Sequence, residues 1–273
     1  TLLVFVLITT VAFAQKGEKL KGSKTVTIEN KATPVFTAVY IQDDLHVSFI
    51  KADSTGIETE ADDNLHQALQ VANNGGILNV SLAQKISGFK KFEVKIYYTS
   101  ELKSIEATGA SKLMILDEMK LDDISFKIND KSKLYLNLNA KIASIEANDY
   151  SAVELNSKTE KISFILSQNT SVKALVATTE LNVDQYQKSK STFEGDAIDM
   201  KLRMDNNTKF VGKNMTAKNV ELIAEGYSNT SIFAETNCVL NIFSNAEIEL
   251  FGEPTINVKK FTGNAVLMKK TLK

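Results

Sequence analysis

Two stretches near the middle of the chain decide the fold. The first is Asn129-Asp130-Lys131-Ser132-Lys133-Leu134-Tyr135-Leu136. The second is Asn148-Asp149-Tyr150-Ser151-Ala152-Val153-Glu154-Leu155. Each has a polar turn, a small hydroxylated residue, then apolar residues at alternate positions. The same arrangement is anchored at Ser111, Ser132, Ser151, Thr170, Ser191, Thr208 and Thr230, and in weaker form at Ala246 and Asn264. The steps from each anchor to the next are 21, 19, 19, 21, 17, 22, 16 and 18. A near-constant period of this size marks stacked repeats, because each unit buries its apolar face only against its neighbours.

Outward from the anchors, each unit carries two short strand signals around its polar turn. Ile124-Ser-Phe-Lys-Ile128, Ile142-Ala-Ser-Ile-Glu146 and Ile162-Ser-Phe-Ile-Leu166 precede a turn. Leu113/Ile115, Leu134/Leu136 and Val153/Leu155 follow one. About twenty residues are too few for a four-stranded propeller blade and suit one rung of a parallel β-helix. The expectation is an all-β, single-stranded parallel β-helix-like solenoid with an N-terminal β-rich portion. In it Leu134 stacks between Leu113 and Val153. The small polar anchors form a structural ladder of Ser, Thr and Asn.

Before the repeats, Leu45, Val47 and Phe49 alternate as a half-buried strand, and so do Phe92, Val94, Ile96 and Tyr98. Asn73-Asn74-Gly75-Gly76 predicts a strand reversal. Asp62-Asp63-Asn64 before Leu65 predicts one capped helical turn. Residues 2–14 form a short apolar run ending in Ala12-Phe13-Ala14, which reads as a signal peptide with cleavage before Gln15. The expected organisation is a signal peptide at 1–14, a flexible lead-in at 15–32 and a β-helix-like domain at 33–270. That domain divides into an N-terminal β portion at 33–100 and regular repeats at 101–270. Export to the periplasm, outer-membrane surface or medium follows, with no membrane span in the mature chain.

Composition narrows the chemistry. The chain has 32 basic and 33 acidic residues, interspersed, so no basic block is present to track nucleic acid. Arg203 is the only arginine, which argues against a built anion clamp. Cys238 is the only cysteine and shares strand parity with Leu240 and Ile242, as a buried thiol would. His46 and His66 lack partners at ligand spacing, so no metal site is expected. Asp43/Asp44, Asp62/Asp63 and Asp122/Asp123 are adjacent pairs, and neighbours on a strand point to opposite faces. No catalytic residue and no cofactor is expected. Tyr150 and Tyr227, in or beside repeat turns, are the candidates for surface interaction.

Several motifs carry a family resemblance. Thr108-Gly109-Ala110-Ser111 resembles the Ser-Gly-Ala-Ser turn of the bacterial autotransporter-adhesin head family, the GIN-domain proteins. Val35-Phe36-Thr37-Ala38-Val39 with Leu45-His46-Val47-Ser48-Phe49 is similar to its first strand pair. Asp62-Asp63-Asn64-Leu65 and Gly75-Gly76-Ile77-Leu78-Asn79-Val80 are similar to its next elements. Phe251-Gly252-Glu253-Pro254 resembles its Tyr-x-Gly-x-Pro signature, and Thr262-Gly263-Asn264-Ala265 its closing turn. The inner rungs depart from it, with Asn-Asp-Lys-Ser, Asn-Asp-Tyr-Ser or Gln-Asn-Thr in place of Gly-Ala-Ser. The resemblance spans roughly residues 33–270. It implies an all-β, β-helix-like fold in a bacterial envelope and no catalytic residues. The expected role is an exported, non-enzymatic, adhesin-like structural or interaction module, with a glycan or an envelope protein as partner. A polysaccharide-acting hydrolase or lyase on the same scaffold is the alternative.

Overall fold

The structure is a computed structural model, and residues 19–272 are described. The signal-peptide reading of residues 1–14 lies outside them. Strands dominate: the chain forms a β-solenoid of about 9 turns with roughly 19-residue rungs.

From Lys112–Ile128 to Asn229–Ile242 each rung is one long strand with a bend, where the sequence reads as two short strands. In Lys133–Ala147, Leu134, Leu136, Leu138 and Ala140 point inward. Parity then slips at the adjacent exposed pair Lys141 and Ile142, after which Ala143, Ile145 and Ala147 point inward. The slip turns the chain through a corner. Lys141, and Glu160 one rung on, drop out of the ladder there, while Ala140 pairs with Thr159 and Ile142 with Lys161. The bent strand thus supplies both faces of the solenoid. Neighbouring rungs are parallel, and Leu113, Leu134 and Val153 stack in register as expected. Phe164, Phe193 and Phe210 fill the middle of the core, with ring centroids 4.9 and 5.4 Å apart.

The turns form a second column. Its left-handed residues are Asp43, Gly109, Asp130, Asp149, Gln168, Gln187, Asn206, Gly226, Ser244 and Gly263. With few glycines available, Asp, Asn, Gln and Ser take this geometry in most rungs. Two positions after each, from Gly109 to Ser244, lies a buried small residue. That column contains Ser189 and Ser228, where the sequence alone suggests Ser191 and Thr230. Ser189 and Ser191 are both inward and buried, as are Ser228 and Thr230, so the pattern repeats two residues late without changing face. With Ser189 and Ser228 as anchors, and Ala265 in place of Asn264, the steps become 21, 19, 19, 19, 19, 20, 18 and 19. The apparent irregularity belonged to the choice of anchors.

The N-terminal end is closed by a different construction. Part of the expected flexible lead-in is stranded: Leu20–Lys21 pairs with Ile86–Ser87, and Val26–Ala32 pairs antiparallel with Gly56–Asp62. Gly56–Asp62 also pairs antiparallel with Phe92–Tyr98, which extends one face. The hairpin of Leu69–Asn74 and Ile77–Leu82, turning at Gly75-Gly76, extends the other. A 3-10 helix, Asp63–Ala68, links the two across the end of the core and buries Leu65 and Ala68. Its N-cap Asp62 makes no side-chain cap bond to the helix. Its buried carboxylate instead accepts the backbone N–H groups of Lys24 at 2.8 Å, Lys90 at 3.0 Å and Lys91 at 3.1 Å.

Candidate functional site

The described residues present polar ladders, shallow channels and a deeper groove. On the turn edge, Tyr150 and Tyr227 are 66% and 68% exposed and occupy equivalent positions after Asp149 and Gly226. The turns of Asn169, Lys188 and Asn207 lie between them. At the usual spacing of neighbouring strands, four rungs separate the tyrosines by about 19 Å. The rings therefore form two stations along one edge and not a single platform. Beside them, the Asn148 amide donates to Asn129 Oδ1 at 3.0 Å, and Ser167 Oγ donates to Asn148 Oδ1. Asn237, Asn219 and Asp199 form a similar ladder on the outer wall.

The groove lies where the Leu82–Phe92 segment folds beside the turn column. It encloses about 750 Å³ and is lined by Leu82, Ile86, Phe89 and Phe92 on its apolar side, with Lys85 and Lys131 among its charges. His46 and Asp44 also line it. Asp43 is held locally, its carboxylate accepting the Leu82 N–H at 2.9 Å. Sequence reasoning missed this groove. Asp43 and Gly109 are neighbours in the turn column but belong to distant parts of the chain, and no local pattern announces their contact. A shallower channel of about 520 Å³ runs along one face past Leu116, Tyr135 and Leu175, with Glu154, Lys173 and Glu194 interspersed.

Several carboxyls are held by neighbouring lysines and amides. Lys95 Nζ donates to Glu58 at 2.6 Å and holds that carboxyl below its ordinary range, with help from the Tyr97 hydroxyl. Lys120 and the Asn139 amide do the same for Glu118. Lys141 at 2.9 Å does so for Asp122, and Asn182 and Lys161 for Glu180. A carboxyl that serves as general acid near neutral pH needs the opposite shift. Among the described residues no group of three or more His, Cys, Asp and Glu side chains could hold a metal. His46 is exposed, and His66 Nε2 lies 2.9 Å from Thr27 Oγ1. Cys238 is buried, which pushes its thiol up to about 12, far from nucleophilic. No described helix is long and apolar enough to cross a membrane.

Known proteins share this architecture. The family model described as "Putative auto-transporter adhesin, head GIN domain" matches residues 35–178. The chain belongs to the GIN-domain family. A solved "putative adhesin" from Parabacteroides distasonis is 16% identical, with a TM-score of 0.70 over 93% of this chain and 100% of that one. Another, from Parabacteroides merdae, is 16% identical, with a TM-score of 0.67 over 92% and 99%. A "putative lipid binding protein" from P. distasonis is 13% identical, with a TM-score of 0.61 over 94% and 100%. At such identities the likeness is one of fold. No curated protein matches the chain. The GIN-domain match ends inside the rungs at residue 178, while the same rung geometry continues to Lys269.

Proposed function

We propose that this GIN-domain chain is an exported, non-enzymatic interaction module of the bacterial envelope, and that its turn edge meets a glycan or an envelope protein. The observation that carries the reading is the form of the surface. Polar side chains run in register from rung to rung along flat faces. Catalytic sites gather perturbed acids or bases in one cleft, and the carboxyls above are pulled toward the ionised state by surface partners. Long parallel faces suit an extended partner, and Tyr150 and Tyr227 offer it two aromatic stations. Family membership supports the adhesin-like part of this reading, and the apolar run at residues 2–14 supports export.

The test is binding and turnover on one panel. Mature protein is presented to envelope and host polysaccharides and to solubilised envelope proteins, with and without calcium. Saturable binding without new reducing ends or unsaturated products is expected. Joint Tyr150→Ala and Tyr227→Ala substitution should weaken that binding about tenfold or more while leaving the melting temperature unchanged. Product release that is lost on Asp122→Asn or Asp149→Asn, with the fold intact, would replace the module by an enzyme.

A further inference from the structure

The two ends of the solenoid are built differently. At the N-terminal end the 3-10 helix covers the core, and Leu65 and Ala68 are fully buried beneath it. At the other end the last rung, Thr255–Phe261 and Val266–Lys269, carries core-type residues with nothing over them among the described residues. Ile256 and Val258 stack on Cys238 and Leu240, and Phe261 on Ile242. The lower members are fully buried, yet Ile256, Val258 and Phe261 are 42%, 43% and 47% exposed. Leu267, above buried Ile248, is only partly covered. Thr255–Phe261 pairs on one side only, with Asn229–Ile242, and Val266–Lys269 only with Glu247–Phe251. The rung carries one bulge, at Lys259, where the ladder steps from Leu240–Val258 to Asn241–Lys260; Gly263 keeps the left-handed turn and Asn264 continues the amide ladder to Asn245 at 3.2 Å. Repeat proteins need a polar terminal cap, and an unpaired apolar edge is a template for pairing.

We propose that this end is a dimer interface, occupied by a second copy of the chain related by a two-fold axis. An axis normal to the faces sets Thr255–Phe261 antiparallel to its own copy, and likewise Val266–Lys269. Sequence self-complementarity selects the register. Centred between Val258 and Lys259, the axis places Ile256 opposite Phe261 of the second copy, both inward because the extra residue Lys259 shifts the parity between them, and sets Val258 beside that bulged residue. Asn257 falls opposite Lys260, both with outward parity, so no lysine faces a lysine on this strand. Centred instead on Val258, the axis would set inward Ile256 against outward Lys260. Lys259 and Lys260 thereby penalise other pairings, as charged edge residues do. The end face measures about 23 Å along the strand and about 20 Å across two sheets with their side chains. Once side-chain relief is counted, that offers roughly 500–800 Å² per copy, at the scale of a small specific interface. A closed two-fold contact also ends assembly at two, because the opposite ends are capped.

The mature chain is measured by light scattering coupled to size exclusion, from low-micromolar to several-hundred-micromolar concentration. A mass that doubles with concentration is expected. Ile256→Asp with Phe261→Asp puts like charges opposite each other, and should hold the mass at one copy throughout. Both residues are partly exposed in the monomer, so its melting temperature at low concentration should fall only modestly and its transition stay cooperative. Asn257→Cys with Lys260→Cys, under mild oxidation, should give a disulfide-linked dimer, with buried Cys238 silent. A mass of one copy at every concentration, a dimer unmoved by the aspartates, or failure of the cysteines to link would each overturn the proposal. So would protection, in the monomer, of those Thr255–Phe261 amides that do not donate to Asn229–Ile242, which would mean that another segment or partner covers the end.

Discussion

Leu134 shows how much one side chain carries. It sits between Leu113 and Val153 with no exposed surface. Leu134→Asp would bury a charge with no partner, at a cost of about 4 kcal/mol or more, a large share of a typical domain's stability. The expected result is loss of the cooperative thermal transition. Lys133→Asp, one residue away and outward, should shift it by about 0.5 kcal/mol or less. The two variants differ only in parity, so equal effects would break the stacking assignment. Asp62 gives a second test. Burial would push its carboxyl up, but the N–H groups of Lys24, Lys91 and Lys90 outweigh that and hold it below its ordinary value. A depressed folded value adds stability that is complete above the unfolded value and is lost as pH falls through the folded one. The N-terminal cap should therefore loosen on acidification below the usual carboxylate range. Hydrogen exchange at Lys24, Lys90 and Lys91 should accelerate there. In Asp62→Asn the same amides should exchange faster at neutral pH and lose most of that acid dependence, since the new N–H₂ would face the Lys24 N–H. The helical turn was legible from Asp62-Asp63-Asn64 before Leu65, but the role of the Asp62 carboxylate was not, because the donors come from residues 24 and 90–91.

The turn and the bent strand are the elements, and they differ in how openly the sequence declares them. Alternation reveals the inward residues on each side of a turn, so the core columns were readable. The bend was not: it is a parity slip at exposed residues such as Lys141 and Ile142, and a slip reads like the gap between two strands. Ser189 and Ser191 were indistinguishable for a related reason, since two residues is the strand period. The left-handed turn position settles the register, and it is a property of backbone geometry. That geometry makes a prediction at Gly195, where φ is 109° beside the ladder irregularity between Thr192 and Glu194. A Cβ there would stand 2.1 Å from the Val176 carbonyl oxygen. Gly195→Ala should cost about 3 kcal/mol or more, through strain and backbone displacement together. Gln168→Gly, at a turn with φ of 60°, should be neutral or raise stability by up to about 1 kcal/mol, since glycine removes the left-handed penalty. Urea midpoints of the two variants, moving apart in this way, would separate a bulge that demands glycine from a turn that only tolerates other residues.

At the scale of the molecule, one rung is a modular quantity. Each contacts chiefly the rung before and the rung after it, so stability is close to a sum of rung and interface contributions. Removing residues 152–170 joins Ser151 to Ser171, the residue that Ala152 pairs with. The cut takes out one turn, one corner and both arms, and leaves every inward column in register. The shortened chain should fold with one cooperative transition and a modestly lower melting temperature. Removing residues 192–208 instead takes out the shorter step suggested by reading Ser191 as an anchor. The left-handed Gln187 and Gly226 are then separated by a longer run than any intact rung between Gly109 and Gly263 uses. The excess cannot be absorbed without bulging the strand or shifting the corner. It also moves Phe210 out of the column of Val172 and Ser191 into the place that Phe193 held above Ala174. That variant should lose several kcal/mol and expose apolar surface to a hydrophobic dye. Side by side, the two deletions test whether the molecule counts in whole rungs. Equal tolerance of both would mean that the stack is held by apolar content alone, with the turn column as a passenger.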